Sequence, residues 1–147
     1  MKKIILLLSL LLSCAAAFAQ EGLMVSRVFS DAVTGRDKVE TKITGRRLKP
    51  YKLSLYRHCK VSVTEEDLNR IAGWIGKDSE KAFEKETEYQ DGKLVYALAR
   101  IEDPEVGNKY VCYQVKSRNN NDRTYRITVV YLEGKATLGD LENIFKK

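Results

Sequence analysis

The stretch "YKLSLYRHCKVSV", Tyr51 to Val63, reads as a long extended strand. Successive side chains of a strand point to opposite faces. Leu53, Leu55, Cys59, Val61 and Val63 therefore share one face, and Tyr56, His58, Lys60 and Ser62 share the other. His58 and Cys59 are adjacent in sequence but point apart, so they cannot form a hydrogen-bonded nucleophile–base pair. Arg57 is a charge on the Leu55–Cys59 side. Such a residue marks a bulge, meets a carboxylate, lines a pocket, or extends its stem toward the sheet margin.

Working outward, "KVETKIT" (Lys38–Thr44) alternates Val39, Thr41 and Ile43 with charged residues. With the loop "GRRLKP" it forms a hairpin with the long strand. Upstream, Val25, Val28, Phe29 and Ala32 are spaced for one face of a short helix. Downstream, Thr64 and Asp67 resemble a capping box. Leu68, Ile71, Ala72, Ile75, Ser79, Ala82 and Phe83 then keep one helical face. Gly73 and Gly76 each cost such a helix about 1 kcal/mol relative to alanine. A break near Gly76, with Asp78 capping a second short helix, is the alternative. Three strands follow, 94–101, 109–116 and 124–132, separated by turn-rich segments. Val95, Ala97, Ala99 and Ile101 fall on one face of the first, and Leu94, Tyr96 and Leu98 on the other. Thr137 and Asp140 open a last helix carrying Leu138, Leu141, Ile144 and Phe145. The order αββαβββα predicts an α+β fold: an antiparallel sheet of about five strands with helices packed on one face.

The first residues, "MKKIILLLSLLLSCAAAFAQ", have the pattern of an export signal. Two lysines precede a short apolar run, and Ala17-Phe18-Ala19 suits a signal peptidase. The run is shorter than the roughly 20 residues of a membrane-spanning helix. The expected division is a signal peptide at 1–19 and a single α+β domain at 20–147, with a periplasmic or secreted address and no transmembrane helix. "LLSC" offers a competing reading, a lipoprotein anchored through Cys14. The formal net charge of +6 includes Lys2 and Lys3 of the leader. The remainder is too small to point to nucleic acid.

Chemistry is sparse. One histidine and three cysteines, with no Cys-x-x-Cys spacing, do not supply a zinc site. Cys59 lies among apolar residues, as a small buried hydrophobe would. A disulfide with Cys112 and a reactive thiol are the other readings. The disulfide would close a long loop, ideally worth about 4 kcal/mol. However, Val111, Tyr113 and Val115 look inward on their strand, which turns Cys112 outward and away from Cys59. The carboxylates of Glu65–Glu88 follow the polar face of a helix and include no isolated acid–base pair. Nucleophile, metalloprotease and nucleotide-binding motifs are absent. No catalytic residue, metal or cofactor is expected.

Two surfaces remain as ligand-binding candidates. Arg46, Arg47, Lys49 and Lys52 form a cationic cluster that suits an anionic glycan or an acidic envelope protein. Tyr110 and Tyr125 are the tyrosines expected to face solvent as a binding platform. "YKLSLYRHCKVSV", "DGKLVYALARI", "NKYVCYQV", "RITVVYLEG" and "TLGDLENIFKK", behind a Lys-Lys leader ending "AFAQ", carry a resemblance across most of the chain. It resembles a domain-of-unknown-function family of small exported Bacteroidetes proteins. The resemblance implies an envelope location and supplies no site residues. The expected function is an exported, non-enzymatic binding module. The alternative is a small enzyme, or an enzyme inhibitor, with its site near Arg57 and His58.

Overall fold

The computed structural model describes residues 22–145, so the leader and Cys14 lie outside the described residues. The strands are β1 (Arg36–Thr44), β2 (Leu53–Val63), β3 (Glu84–Gln90), β4 (Lys93–Asp103), β5 (Gly107–Asn119) and β6 (Thr124–Gly134). The helices are α1 (Glu65–Ser79) and α2 (Leu138–Phe145), and two 3-10 segments cover Met24–Phe29 and Arg46–Tyr51. All six strands join one antiparallel sheet in the order β1-β2-β6-β5-β4-β3. The sheet is thus a hairpin and a four-stranded meander, sutured where β6 pairs with β2.

The first face of the sheet carries Cys59, Val61, Ala99, Val111, Ile127 and Val129 toward α1. Thr64 starts that helix by accepting the Asp67 amide at 3.3 Å. Leu68, Ile71, Trp74 and Ile75 are its buried stripe. The helix runs unbroken through Gly73 and Gly76, because burial of this stripe outweighs the two glycine penalties. Asp78 stays within α1 and has another role. Its fully buried carboxylate accepts the amides of Met24 and Val25 at 2.8 and 2.7 Å. That latch seats the first 3-10 segment, whose Val25, Val28 and Phe29 complete the core.

The second face is covered at one end only. There α2 and the second 3-10 segment pack Leu141 and Leu48 on Leu53, Tyr110, Val130 and Leu132. Thr137 and Asp140 cap α2 reciprocally, amide to side chain, at 3.2 and 2.9 Å. The approach requires Gly134, whose φ is +154°. A Cβ there would lie 2.5 Å from the Lys52 carbonyl oxygen, which accepts the amides of Lys135 and Ala136 at 2.9 and 3.0 Å.

Several expectations are corrected. Among the described residues there are six strands rather than about five, and helices cover both faces rather than one. The extra strand is β3, read from sequence as the continuation of a helix. Every residue of this edge strand is exposed, so it has no apolar alternation, and its Glu/Lys content mimics a polar helix. Phe83 accordingly lies outside α1 and is exposed. The N-terminal element is a 3-10 segment, with Ala32 beyond it and exposed. A register shift between Glu88 and Tyr89, opposite Tyr96 and Leu94, moves Leu94 onto the α1 side. Two residues opposing one reverse the alternation at that point.

Candidate functional site

The structure scatters most of the sequence-derived candidates. Arg46, Arg47 and Lys49 are exposed on the second 3-10 segment, and Lys52 pairs with Asp140 at 3.6 Å. Tyr110 is not a platform. It is fully buried, and its hydroxyl donates to the Ala136 carbonyl, because α2 covers that part of the face. Tyr125 is half-buried on the other face, 5.6 Å from the Arg118 guanidinium. The two tyrosines therefore share no surface. Arg57 points to the α1 side, where its guanidinium lies 4.5 Å from the Phe29 ring centre. His58 points to the second face, so no one site contains both. Cys59 and Cys112 are free thiols on opposite faces of the sheet.

The second face retains an uncovered half. Strand register there lays out two rows of side chains running across the sheet. One row is His58, Val130, Cys112, Leu98 and Glu86. The next is Lys60, Thr128, Gln114, Tyr96 and Glu88. With strands about 4.8 Å apart, each row of five spans roughly 19 Å. A groove of about 600 Å³ follows these rows, walled by Tyr56 on one side and by Leu141 and Glu142 of α2 behind. Its floor is apolar at Val130, Cys112 and Leu98. A larger, shallower depression of about 840 Å³ lies between the start of α1 and the ends of β4 and β5. Its rim charge Lys93 already pairs with Glu65.

Charge is graded along the groove, with Lys60 on β2 at one end, beside the neutral His58, and Glu86 and Glu88 on β3 at the other. Lys116 also lines it. Among the described residues neither Lys60 nor Lys116 makes an ion pair. The Thr128 hydroxyl is buried without a hydrogen-bond partner, an arrangement that costs stability unless something else supplies the bond. The Tyr56 and His58 rings are nearly parallel, at 6° and 6.3 Å between centres.

Burial holds the titrating groups of the groove floor and β2 wall in their neutral forms. Burial, reinforced by Lys60, holds His58 below the ordinary histidine value and so neutral at physiological pH. Burial pushes the Cys112 thiol up to about 12 and Cys59 up to about 11, so neither is a thiolate at neutral pH. Burial likewise raises Tyr56 and Tyr96, which remain neutral hydroxyls. His58 and Cys112 share a row but are separated by Val130, roughly 10 Å across two strand spacings. No metal-sized group of three or more His, Cys, Asp or Glu residues occurs among the described residues. No helix among them is long and apolar enough to cross a membrane.

A family model described as a family of unknown function, DUF6108, matches residues 12–145. The chain belongs to that family. No curated protein and no solved structure matches it. The DUF6108 segment contains all six strands and both helices, so the groove is built wholly from the family's own domain. Sequence alternation already grouped Tyr56, His58 and Lys60 on one face. It carried no signal for Thr128, Gln114 or Leu98, which join them only through register.

Proposed function

We propose that this DUF6108 protein is an exported, non-enzymatic binding module of the cell envelope, and that it binds through the second-face groove. Export rests on the leader-like first nineteen residues. The observation that supports the site is the short reach of α2. This helix leaves an apolar floor open beside an unpartnered hydroxyl and unpaired lysines, the usual make-up of a small-ligand pocket. The cationic 3-10 segment, suited to an anionic glycan or an acidic envelope protein, is the competing surface.

The test presents envelope glycans, peptides and amphiphiles to three proteins: wild type, Leu98→Arg and the double variant Arg46→Glu/Arg47→Glu. A ligand held by wild type and by the double variant, but lost by Leu98→Arg, supports the groove. Binding that survives Leu98→Arg and disappears in the double variant assigns function to the cationic segment instead.

A further inference from the structure

From the groove's polarity we infer its ligand class: a small amphipathic acid, with a hydrocarbon body and one carboxylate at its end. The inference rests on the groove being the binding surface. The floor side chains Val130, Cys112 and Leu98, with Leu141 of α2 behind them, offer an apolar bed but no hydrogen bonds. A saccharide would find partners only along the neighbouring row of Lys60, Gln114 and Tyr96 and would leave its hydroxyls over the floor unsatisfied. A peptide adding to the sheet would need a free edge, and the apolar floor sits over the inner strands β6, β5 and β4, reaching an edge only at the Glu86 and Glu88 end on β3.

The two ends of the groove fix the orientation. Glu86 lies at the β3 end and Glu142 on the α2 wall, and both repel a carboxylate. Lys60 and Thr128 are register partners at the β2 end, where the ammonium supplies charge and the idle hydroxyl, buried in the free protein, supplies a donor once it turns outward about its Cα–Cβ bond. A carboxylate there makes charge-assisted bonds that the free protein lacks. The body then lies over Val130 and Leu98 toward β3. A volume of about 600 Å³ suits either a medium alkyl chain or a fused-ring acid.

His58 is the chain's sole histidine and lines this groove, so its imidazole proton resonances report occupancy without assignment. The experiment titrates full-length mature protein with laurate and with cholate, each beside a neutral partner, dodecanol or cholate methyl ester. At least one acid is expected to shift the His58 resonances saturably and to bind about tenfold more tightly than its neutral partner. Laurate alone would identify an alkyl chain, and cholate alone a rigid ring body. Thr128→Val keeps the shape and removes the hydroxyl. It should weaken the acid about tenfold, leave the neutral partner unchanged, and not lower the midpoint of unfolding. Lys60→Gln, at an exposed position, should do the same to affinity without disturbing the fold.

Neutral partners binding as well as the acids would overturn the inference, as would acids indifferent to both Thr128→Val and Lys60→Gln. If neither acid shifts His58 but a glycan or peptide does, the ligand class falls and the groove stands. If the acids bind with no change at His58, and bind Leu98→Arg equally well, the groove reading falls too.

Discussion

The two faces of this one sheet are finished differently. On the first, α1 and the latched N-terminal segment bury the middle of the central strands, with Cys59 and Val129 at zero exposure, and leave only marginal residues such as Val115, Tyr125 and Tyr131 half-buried. On the second, α2 and a 3-10 segment bury Tyr110 and Leu132 completely, reach Val130 and then stop, leaving the Lys60 row and the rest of the His58 row uncovered. The sheet needs only one dry face to be stable, so the other is free to keep apolar and polar groups side by side at the surface. Stability belongs to the first face, and recognition is the role we assign to the second.

The largest test of that division compares truncations on the two sides. Ile71→Ala removes a fully buried side chain from the closed core and should cost about 4 kcal/mol. Leu141→Ala, beside the open groove, should cost about 2 kcal/mol, because water and neighbouring side chains can relax into the space. Denaturant unfolding measures both, and equal losses would mean that the second face is packed as tightly as the first.

Next comes the latch. Asp78→Ala strips the acceptor from two amides and should cost about 2–4 kcal/mol. Trp74 is the only tryptophan and packs in the same cluster as the segment, so its emission should shift as the segment loosens. Burial raises the Asp78 carboxyl above the ordinary aspartate value, and the two amide bonds only partly oppose it. The folded state thus holds this proton more tightly than the unfolded chain does. The resulting stabilisation is complete below the unfolded value, near 3.8, and declines as pH rises through the folded one. Asp103, Asp122 and Asp140, lowered by hydrogen bonds and nearby cations, contribute in the opposite sense, losing stabilisation as the medium turns acid. Asp78→Asn should remove the first trend and leave the second, as read from unfolding midpoints between acid and neutral pH.

The smallest effect is chemical. Burial lifts both thiols to a similar height, so reaction with an alkylating agent should be slow at either site. Cys112, half-buried at the groove floor, should nevertheless label about tenfold faster than Cys59, which is reached only by opening the core. Equal rates, measured by peptide mass after timed quenching, would erase the contrast between the faces.

Alternation made much of this legible from sequence. It placed β2, β5 and β6, the inward Cys59 and the shared face of Tyr56, His58 and Lys60. It failed at β3, whose Glu84–Gln90 residues are all exposed and are held by backbone pairing to β4 and by the Glu84–Arg100 ion pair rather than by apolar burial. It failed again at Tyr110, since the stripe Leu138–Leu141 announces an amphipathic helix but not the face on which it docks. Thr128 and Gln114 were invisible as site residues because a groove crossing strands is assembled by register, and register is a relation between distant segments.

The Asp78 latch also has a consequence in time. The amides it holds belong to Met24 and Val25, more than fifty positions earlier in the chain. Synthesis proceeds from the amino terminus, so Leu23, Val25, Val28 and Phe29 emerge well before their anchor and before most of the surface they will cover. Until α1 is complete these side chains have no place to dock. The segment that closes the core is therefore among the first parts made and among the last that can settle, and in the interval it is an apolar handle with no partner in the fold.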